Sequence, residues 1–248
     1  MPSPAICRRL LPVLLLLSLI VGPLTAANSQ VSISIHLPFG NPSNAGSTSN
    51  NLLVARSQFA ASWNAGRRTA NWVAWRLRAS DIGSTPRSDF HVDPVINTPT
   101  PSDYTGSGYD RGHLCPSGDR TNNATNNYAV FTMLNIVPQA PDNNQGPWEK
   151  LESYTRTLAQ SGREVYVIAG RVGSKGSFNS ISIPSSTWKI VVALEPGKTY
   201  PNGVGNSTTI AVSMPNVNGI RSDSWQEYQT SVGTIAAQTG YNFSGYPQ

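Results

Sequence analysis

The sequence is poor in the residues that build covalent cross-links and metal clusters. It has only two cysteines and three histidines in 248 residues. Two cysteines cannot supply the disulfide framework that holds many small secreted domains together. The histidines His36, His91 and His113 show none of the close ligand spacing of a zinc site. We therefore expect a fold that is held together by its hydrophobic core.

The chain also lacks an apolar run long enough to cross a membrane. Its longest run, Leu10–Val21, falls short of the roughly 20 residues that a spanning helix needs. Two arginines precede this run, a Gly-Pro pair ends it, and small residues follow up to Ala27. This pattern predicts a signal peptide over residues 1–27, rather than an uncleaved membrane anchor, followed by one domain over residues 28–248.

Charge is scarce as well, at 12% of the residues. Cleavage after Ala27 would leave 16 basic and 13 acidic residues, because only Arg8 and Arg9 would be lost. That small excess does not by itself predict a nucleic-acid partner. We expect a secreted protein, extracellular or periplasmic, with no stable membrane association after cleavage. Cys115 would then be the one remaining thiol, and we expect it to be a small buried residue rather than a nucleophile. A single cysteine could also link two chains, so the oligomeric state stays open.

Glycine and proline are plentiful, at 21 and 19 residues, which is typical of a turn-rich fold. Alternating apolar residues predict a strand at residues 31–35, and we place the next residue, His36, on the surface. Further segments of β type predict strands at 52–55, 59–63, 71–77, 164–170, 188–194 and 208–214. Helical patterns cover 146–162 and 231–238. Residues 79–108 indicate a surface loop, and 126–139 a buried segment of undefined type. Strands and helices in separate blocks predict the α+β class.

The stretch "DRGHLCPSGDRT", residues 110–121, holds one of the three histidines. His113 could be a solvated residue, a structural hydrogen-bond donor or a base, since an ordinary imidazole is largely neutral at pH 7. Further on, Asn143 and Asn144 directly precede a predicted helix. Their amide oxygens suit a hard cation such as Mg²⁺, which keeps several waters. On that helix Glu152 and Arg156 share a face, which taken alone is typical of an exposed ion pair.

Together these residues fit the requirements of phosphodiester hydrolysis. The reaction needs a base that activates water, positive charge at the phosphate oxygens and stabilisation of the leaving oxygen. His113 could supply the first. A metal ion on Asn144 and guanidinium groups from Arg87, Arg111 and Arg156 could supply the other two. We expect the rate to fall as His113 becomes protonated between pH 8 and pH 5.

Four stretches in this order resemble the DNA/RNA non-specific endonuclease family, which includes mitochondrial endonuclease G and secreted bacterial nucleases. They are "DRGHLCPSGDRT", "FTMLNIVPQAPDNNQGPWEKLE", "VYVIAG" and "TSVGTIAAQTGYNF", within residues 50–246. The resemblance implies a ββα-metal finger nuclease fold, in which a central antiparallel sheet carries flanking helices and long loops. It also implies cleavage of DNA and RNA with little sequence preference and with 5′-phosphate products.

The same resemblance implies roles for single residues. His113 would be the general base and Asn144 the ligand of Mg²⁺, with Mn²⁺ as the alternative metal. Glu152 would hold metal-bound water. The phosphate would be contacted by Arg87, Arg111 and Arg156. Asp110, as a hydrogen-bond acceptor, and Asn135, as an orienting residue, would support the site.

Two other functions use the same residues. A catalytically silent nucleic-acid-binding module of the same fold would be expected to have lost His113, Asn144 or Glu152, and all three are present. A phosphodiesterase for small or lipid substrates would differ only in the shape of its groove.

Overall fold

The computed structural model describes Met1 and residues 35–248. Apart from Met1, the predicted signal peptide lies outside the described residues, as do residues 31–34 of the first predicted strand. Within the described part of the chain, no helix combines the length and apolarity needed to cross a membrane.

A central sheet of eight strands carries the fold, and every neighbouring pair in it is antiparallel. The spatial order is β1-β2-β3-β4-β7-β10-β11-β12. The strands are β1 (Ser47–Thr48), β2 (Asn51–Ala55), β3 (Ala60–Asn64), β4 (Thr69–Leu77), β7 (Val165–Val172), β10 (Ser186–Ala193), β11 (Thr208–Pro215) and β12 (Gln229–Thr230). The predicted strands between residues 52 and 214 and the α+β class are thus confirmed.

The remaining elements lie in the connections of this sheet. Two small hairpins pair β5 (Asp110–His113) with β6 (Ile136–Gln139) and β8 (Ser177–Phe178) with β9 (Ile181–Ser182). Over residues 37–248 the α-helices are α1 (Ala124–Val130), the single turn α2 (Pro141–Asn143), α3 (Glu149–Gln160) and α4 (Val232–Thr239). Short 3₁₀ turns occupy Ala79–Asp81, Pro101–Tyr104, Ser117–Arg120, Met133–Asn135 and Trp225–Tyr228. The segment 126–139 therefore combines a helix end, a turn and a strand, which is why no single period fits it.

The sheet separates two hydrophobic clusters. The first, here called the finger face, packs β4, β7 and β10 residues such as Trp75, Val167 and Val191 against Trp148 and Leu151 at the start of α3. The second, the C-terminal face, is built around Trp72, Ile168, Trp188 and Ile190. It is covered by α4 and the chain end through Val232, Ile235, Phe243 and Tyr246. The β5–β6 hairpin and α3 both belong to the finger face.

Both predicted helices are present, and the main difference lies at the start of the first one. Helix α3 begins at Glu149, and Pro147 and Trp148 lie in a wider π turn, Asn144–Trp148, that precedes it. Its predicted apolar stripe is buried at Trp148, Leu151 and Thr155 and only half-buried at Leu158. Helix α4 ends at Gly240, which has φ +73° in the left-handed region.

The prediction that His36 lies on the surface is wrong. Its side chain is 5% exposed. Nε2 lies 3.1 Å from the carbonyl oxygen of Ser57, and Nδ1 accepts a hydrogen bond of 3.2 Å from the backbone N–H of Arg76. Burial lowers the pKa of His36 to about 4, so the ring is neutral. Both partners are distant in sequence, so local pattern gave no sign of them.

Candidate active site

The candidate site is built by β5, β6 and α3. Asp110 pairs with Gln139 and His113 with Ile136, so the motif 110–113 is a strand. Gly112 lies where an added Cβ would stand 2.3 Å from the Gln139 side chain, which explains a glycine in this position. After β6 the chain turns through residues 141–148 and enters α3. Residues of β5, of the turn after β6 and of α3 line one cleft.

The cleft has a volume of about 430 Å³. Six of the eight predicted site residues line it: Arg87, Arg111, His113, Asn144, Glu152 and Arg156. Asp110 and Asn135 stand behind this lining. Residues up to 69 positions apart in the chain, from Arg87 to Arg156, are thus brought to one polar surface.

His113 stands at the end of β5 with 8% of its surface exposed. Its ring packs against Phe90 and Phe131, with centroids 5.1 and 4.8 Å away. No described residue hydrogen-bonds Nε2, although this nitrogen is buried. Burial and then the nearby Arg87 guanidinium lower the pKa of His113 to about 3. The imidazole is therefore neutral at pH 5, and the expected fall in rate through its protonation moves below the range of pH 8 to pH 5.

Asn144 opens the π turn and reaches the cleft from its far side. Its Nδ2 donates a hydrogen bond of 2.8 Å to Asp110 Oδ2, and Gln145 Nε2 donates another of 2.7 Å to the same oxygen. With the amide nitrogen held by Asp110, Oδ1 is the atom of this amide that is left for a ligand. The turn itself needs Gly146, where an added Cβ would come within 2.7 Å of the Arg221 backbone.

Glu152 lies one turn into α3, but it does not pair with Arg156 as the spacing alone suggested. Its Oε1 lies 3.4 Å from Nζ of Lys189, a residue in the middle of β10. Arg156 instead contacts Asp119 at 3.3 Å and Glu149 at 3.7 Å. Burial raises the pKa of Glu152, and the Lys189 charge opposes that rise. Because Glu152 and Arg156 are four residues apart on the helix, both side chains reach the cleft. Their ion-pair partners come from other parts of the fold.

The other two predicted arginines are held by aromatic rings. Arg87 lies over Phe131 at 5.1 Å and Arg111 over Phe90 at 4.6 Å. Arg111 also donates a hydrogen bond of 3.4 Å to the Pro101 carbonyl. Within residues 35–248 neither guanidinium forms an ion pair. Both charges are therefore available to an anion in the cleft.

Asn135 is fully buried and ties the motif loop to the preceding turn. Its Oδ1 accepts a hydrogen bond from the Cys115 N–H, and its Nδ2 donates to the carbonyls of Cys115 and Val130. Cys115 is itself buried, as predicted, and burial raises the pKa of its thiol. This amide fixes the backbone immediately after His113.

A family model described as DNA/RNA non-specific endonuclease matches residues 36–247. The chain belongs to the DNA/RNA non-specific endonuclease family. It is similar to a nuclease of Nostoc sp., with 44% identity over 234 residues that cover 90% of this chain and 84% of that protein. The chain is accordingly a phosphodiester hydrolase of this family.

More distant relatives of this endonuclease chain include mitochondrial proteins. It is 30% identical over 166 residues to the nuclease EXOG of Xenopus laevis, covering 59% of this chain and 46% of that protein. It is 29% identical over 160 residues to human endonuclease G, covering 56% of this chain and 54% of that protein. The chain spans about half the length of these two relatives.

A solved structure confirms the predicted ββα-metal nuclease fold. The crystal structure of an EndoG/EndoGI complex superposes with a TM-score of 0.74, covering 87% of this chain and 93% of that chain at 21% identity. The likeness at this identity concerns the fold, and the side-chain roles rest on the geometry above.

The donor set of this endonuclease fits a hard divalent cation. Among the described residues no three His, Cys, Asp or Glu side chains gather as a metal cluster. Asn144 Oδ1 is a neutral oxygen oriented by Asp110, and the Glu152 carboxylate lines the same cleft. One protein oxygen completed by waters and phosphate is a coordination typical of Mg²⁺ and unlike that of zinc.

Sequence reasoning missed two charged residues behind the cleft. Asp119 is buried, accepts a hydrogen bond of 2.8 Å from Trp75 Nε1 and pairs with Arg156. Lys189 is 1% exposed. A signal for Lys189 existed, since a lysine interrupts the otherwise apolar strand "WKIVVAL". Asp119 lies inside the quoted motif but has no local partner to mark it.

Proposed function

We propose that this protein is a secreted endonuclease that uses a divalent metal ion to hydrolyse DNA and RNA with little sequence preference. The observation that carries the proposal is the meeting of His113 with Asn144, Glu152 and three arginines around one cleft. Secretion rests on the signal-peptide pattern of residues 1–27.

His113 is the general base in this proposal. Its imidazole is neutral at physiological pH, because burial lowers its pKa, and the ring lines the cleft in which water would give up a proton to it. The aromatic contacts of Phe90 and Phe131 fix the ring plane. Proton transfer from water to the imidazole would leave a hydroxide that attacks phosphorus while the bond from phosphorus to the leaving oxygen breaks.

The charged side chains hold the phosphate. Arg87 and Arg111 have no acidic partner among the described residues, and Arg156 is oriented by Asp119. Guanidinium groups contact phosphate oxygens in pairs of hydrogen bonds and stabilise the added negative charge of the transition state. Contacts to the phosphate carry no information about the base, which accounts for low sequence preference and for acceptance of both DNA and RNA.

Asn144 Oδ1 would hold the metal ion, Mg²⁺ or Mn²⁺, and Glu152 would accept hydrogen bonds from water bound to it. When bound, the ion would neutralise charge on the phosphate and on the leaving oxygen. Departure of the 3′ oxygen as that leaving group would give a 5′-phosphate product. Asp110 holds the amide nitrogen of Asn144, which leaves the amide oxygen for the metal ion.

The test is digestion of supercoiled plasmid and of single-stranded RNA by purified residues 28–248, with Mg²⁺ or with EDTA. We expect cleavage of both substrates in Mg²⁺ and none in EDTA. We expect His113→Ala to lower the rate by about 10²–10⁴-fold, the usual contribution of a general base. His91→Ala is the matched control, because His91 stacks on Tyr128 and does not line the cleft.

The other functions give different results. Binding of plasmid without cleavage by the wild type would support the catalytically silent module. Cleavage of small phosphodiesters without cleavage of plasmid or RNA would indicate a small-substrate phosphodiesterase. A His113→Ala variant as active as His91→Ala would show that another group is the base.

A further inference from the structure

Lys189 is in an unusual position for a lysine. It is the only one of the four lysines that is buried, with 1% of its surface exposed. On β10 it pairs with Ala169 of β7 and Val212 of β11, so it lies in the interior of the central sheet. The residues that follow it on the same face of β10, Val191 and Ala193, are apolar.

Stability gives little reason for this lysine. Removing an ammonium group from water costs several kcal/mol, and a buried ion pair often fails to recover that cost. An apolar residue in the same place would continue the pattern of "WKIVVAL". The contacts that Lys189 makes therefore indicate why a charge is there.

Two contacts of Lys189 lead directly to the cleft. Nζ lies 3.4 Å from Glu152 Oε1 and 3.9 Å from the centre of the Trp148 ring. The Trp148 indole N–H donates a hydrogen bond of 3.3 Å to the carbonyl oxygen of His113. A single buried amino group thus contacts the cleft carboxylate and the indole that holds the backbone of the proposed base. Burial lowers the pKa of Lys189, and the Glu152 and Asp119 carboxylates oppose that shift and favour the ammonium form.

The charges around Glu152 come from three elements. Lys189 on β10 attracts its negative form, Asp119 after β5 repels it, and Arg156 on α3 attracts it from farther away. Arg156 is already engaged by Asp119 and Glu149. Lys189 is therefore the cation in direct contact with Glu152.

We propose that Lys189 is a positioning residue for the nuclease reaction, which fixes the Glu152 carboxylate in its anionic form at the cleft. It does not touch substrate, because it lies beneath Glu152 and Trp148. The proposal rests on the role of Glu152 in the proposed function. Loss of the Lys189 charge removes the contact that opposes the effect of burial on the pKa of Glu152.

The direct test is carboxyl ¹³C NMR of metal-free protein labelled in its five glutamates, with Glu152→Gln used to assign the Glu152 signal. We expect Glu152 in Lys189→Met to titrate at a higher pH than in the wild type, while the other four glutamates are unchanged. Lys189→Gln serves the same purpose if the Met variant does not fold. An unchanged Glu152 titration in the variant would overturn the proposal.

Kinetics provide the second readout. We expect Lys189→Met to lower kcat at pH 7 by about 10- to 100-fold, the usual effect of losing an outer support of a metal site, with a much smaller change in KM. The acidic limb of the pH–rate profile should move to higher pH. The double variant Lys189→Met/Glu152→Gln should have the same kcat as Glu152→Gln alone. A further tenfold fall in kcat in the double variant would contradict the proposal.

The matched control is Arg78→Met. Arg78 pairs with the buried carboxylate of Glu164 and does not line the active-site cleft. It should leave the pH–rate profile unchanged, and a displaced acidic limb in this variant would contradict a specific role of Lys189. If Glu152→Gln is fully active, the role of Glu152 in the proposed function fails, and the NMR titration still decides whether Lys189 controls that carboxylate.

Discussion

Strand β10 contributes to both faces of the central sheet, and its residues differ between them. Trp188, Ile190 and Val192 belong to the hydrophobic cluster of the C-terminal face, and Trp188 also donates a hydrogen bond of 3.3 Å to the carbonyl oxygen of Arg171. Lys189 points to the finger face and contacts Glu152, whereas its strand neighbours Val191 and Ala193 are apolar. The same backbone thus contributes apolar side chains to one face and a buried lysine to the other.

The difference indicates where stability and activity reside. The C-terminal face buries aromatic and aliphatic groups with few polar contacts, so its side chains contribute mainly through removal from water. The finger face buries Lys189, Glu152 and Asp119, whose desolvation opposes folding. Variants on the first face should therefore alter unfolding, and variants near the cleft should alter the reaction.

Among the variants that test this difference between the two faces, Trp188→Ala should have the largest effect, and that effect should be on stability. Trp188 is fully buried and packs edge-on against Phe243 at 5.6 Å and Tyr241 at 6.5 Å. We expect a loss of about 3–5 kcal/mol in the free energy of unfolding, measured by urea denaturation. kcat per folded molecule should remain that of the wild type, because none of the described residues that line the cleft belongs to the hydrophobic cluster of this face.

Trp188→Phe keeps part of the aromatic packing and should lose less stability, again with an unchanged kcat. A tenfold fall in kcat in either variant, at a temperature where it is fully folded, would show that the two faces are coupled.

A smaller effect is expected from Asp110→Ala on the cleft side. Asp110 holds the amide of Asn144, so its loss frees that side chain to rotate. We expect the apparent affinity for Mg²⁺, from activity measured against Mg²⁺ concentration, to fall by about 10- to 100-fold. Saturating Mg²⁺ should restore most of the rate.

Asp110→Asn retains an acceptor oxygen and should have a milder effect. Asp103→Ala is the matched control, since Asp103 pairs with Arg68 away from the cleft. A Mg²⁺ dependence equal to that of the wild type in Asp110→Ala would mean that Asn144 needs no such support.

The C-terminal face was largely predictable from sequence, and the finger face only in part. Alternation along "WKIVVAL" and "TTIAVSM" gave the strands of the central sheet because one residue in two is buried on each face. The same alternation cannot show which strand lies next to which, and the order β4-β7-β10-β11 depends on long-range pairing. The π turn at Asn144–Trp148 also follows from a tertiary contact, the approach of Gly146 to Arg221.

At the site, local motifs predicted the residues that line the cleft but not their partners. His113 and Asn144 stand in short stretches with a recognisable spacing. Lys189 is 37 residues from Glu152, and Asp119 is 37 residues from Arg156, so their pairing requires the folded sheet. The low pKa of His113 likewise results from burial by Phe90 and Phe131, which spacing does not show.

The smallest expected effect concerns two glycines of α4, on the C-terminal face. Gly240 ends the helix with φ +73°, and no atom lies within 4 Å of an added Cβ, so Gly240→Ala adds only backbone strain. We expect a loss of about 1 kcal/mol, seen as a Tm lower by about 2–4 °C. Gly233 lies inside the helix with an exposed Cα, and Gly233→Ala should raise Tm by a similar amount, because alanine is the better helix former. Opposite shifts in Tm with unchanged nuclease activity would show that this helix contributes to stability and not to the reaction. A change in activity in either variant would show that the C-terminal face also affects the cleft.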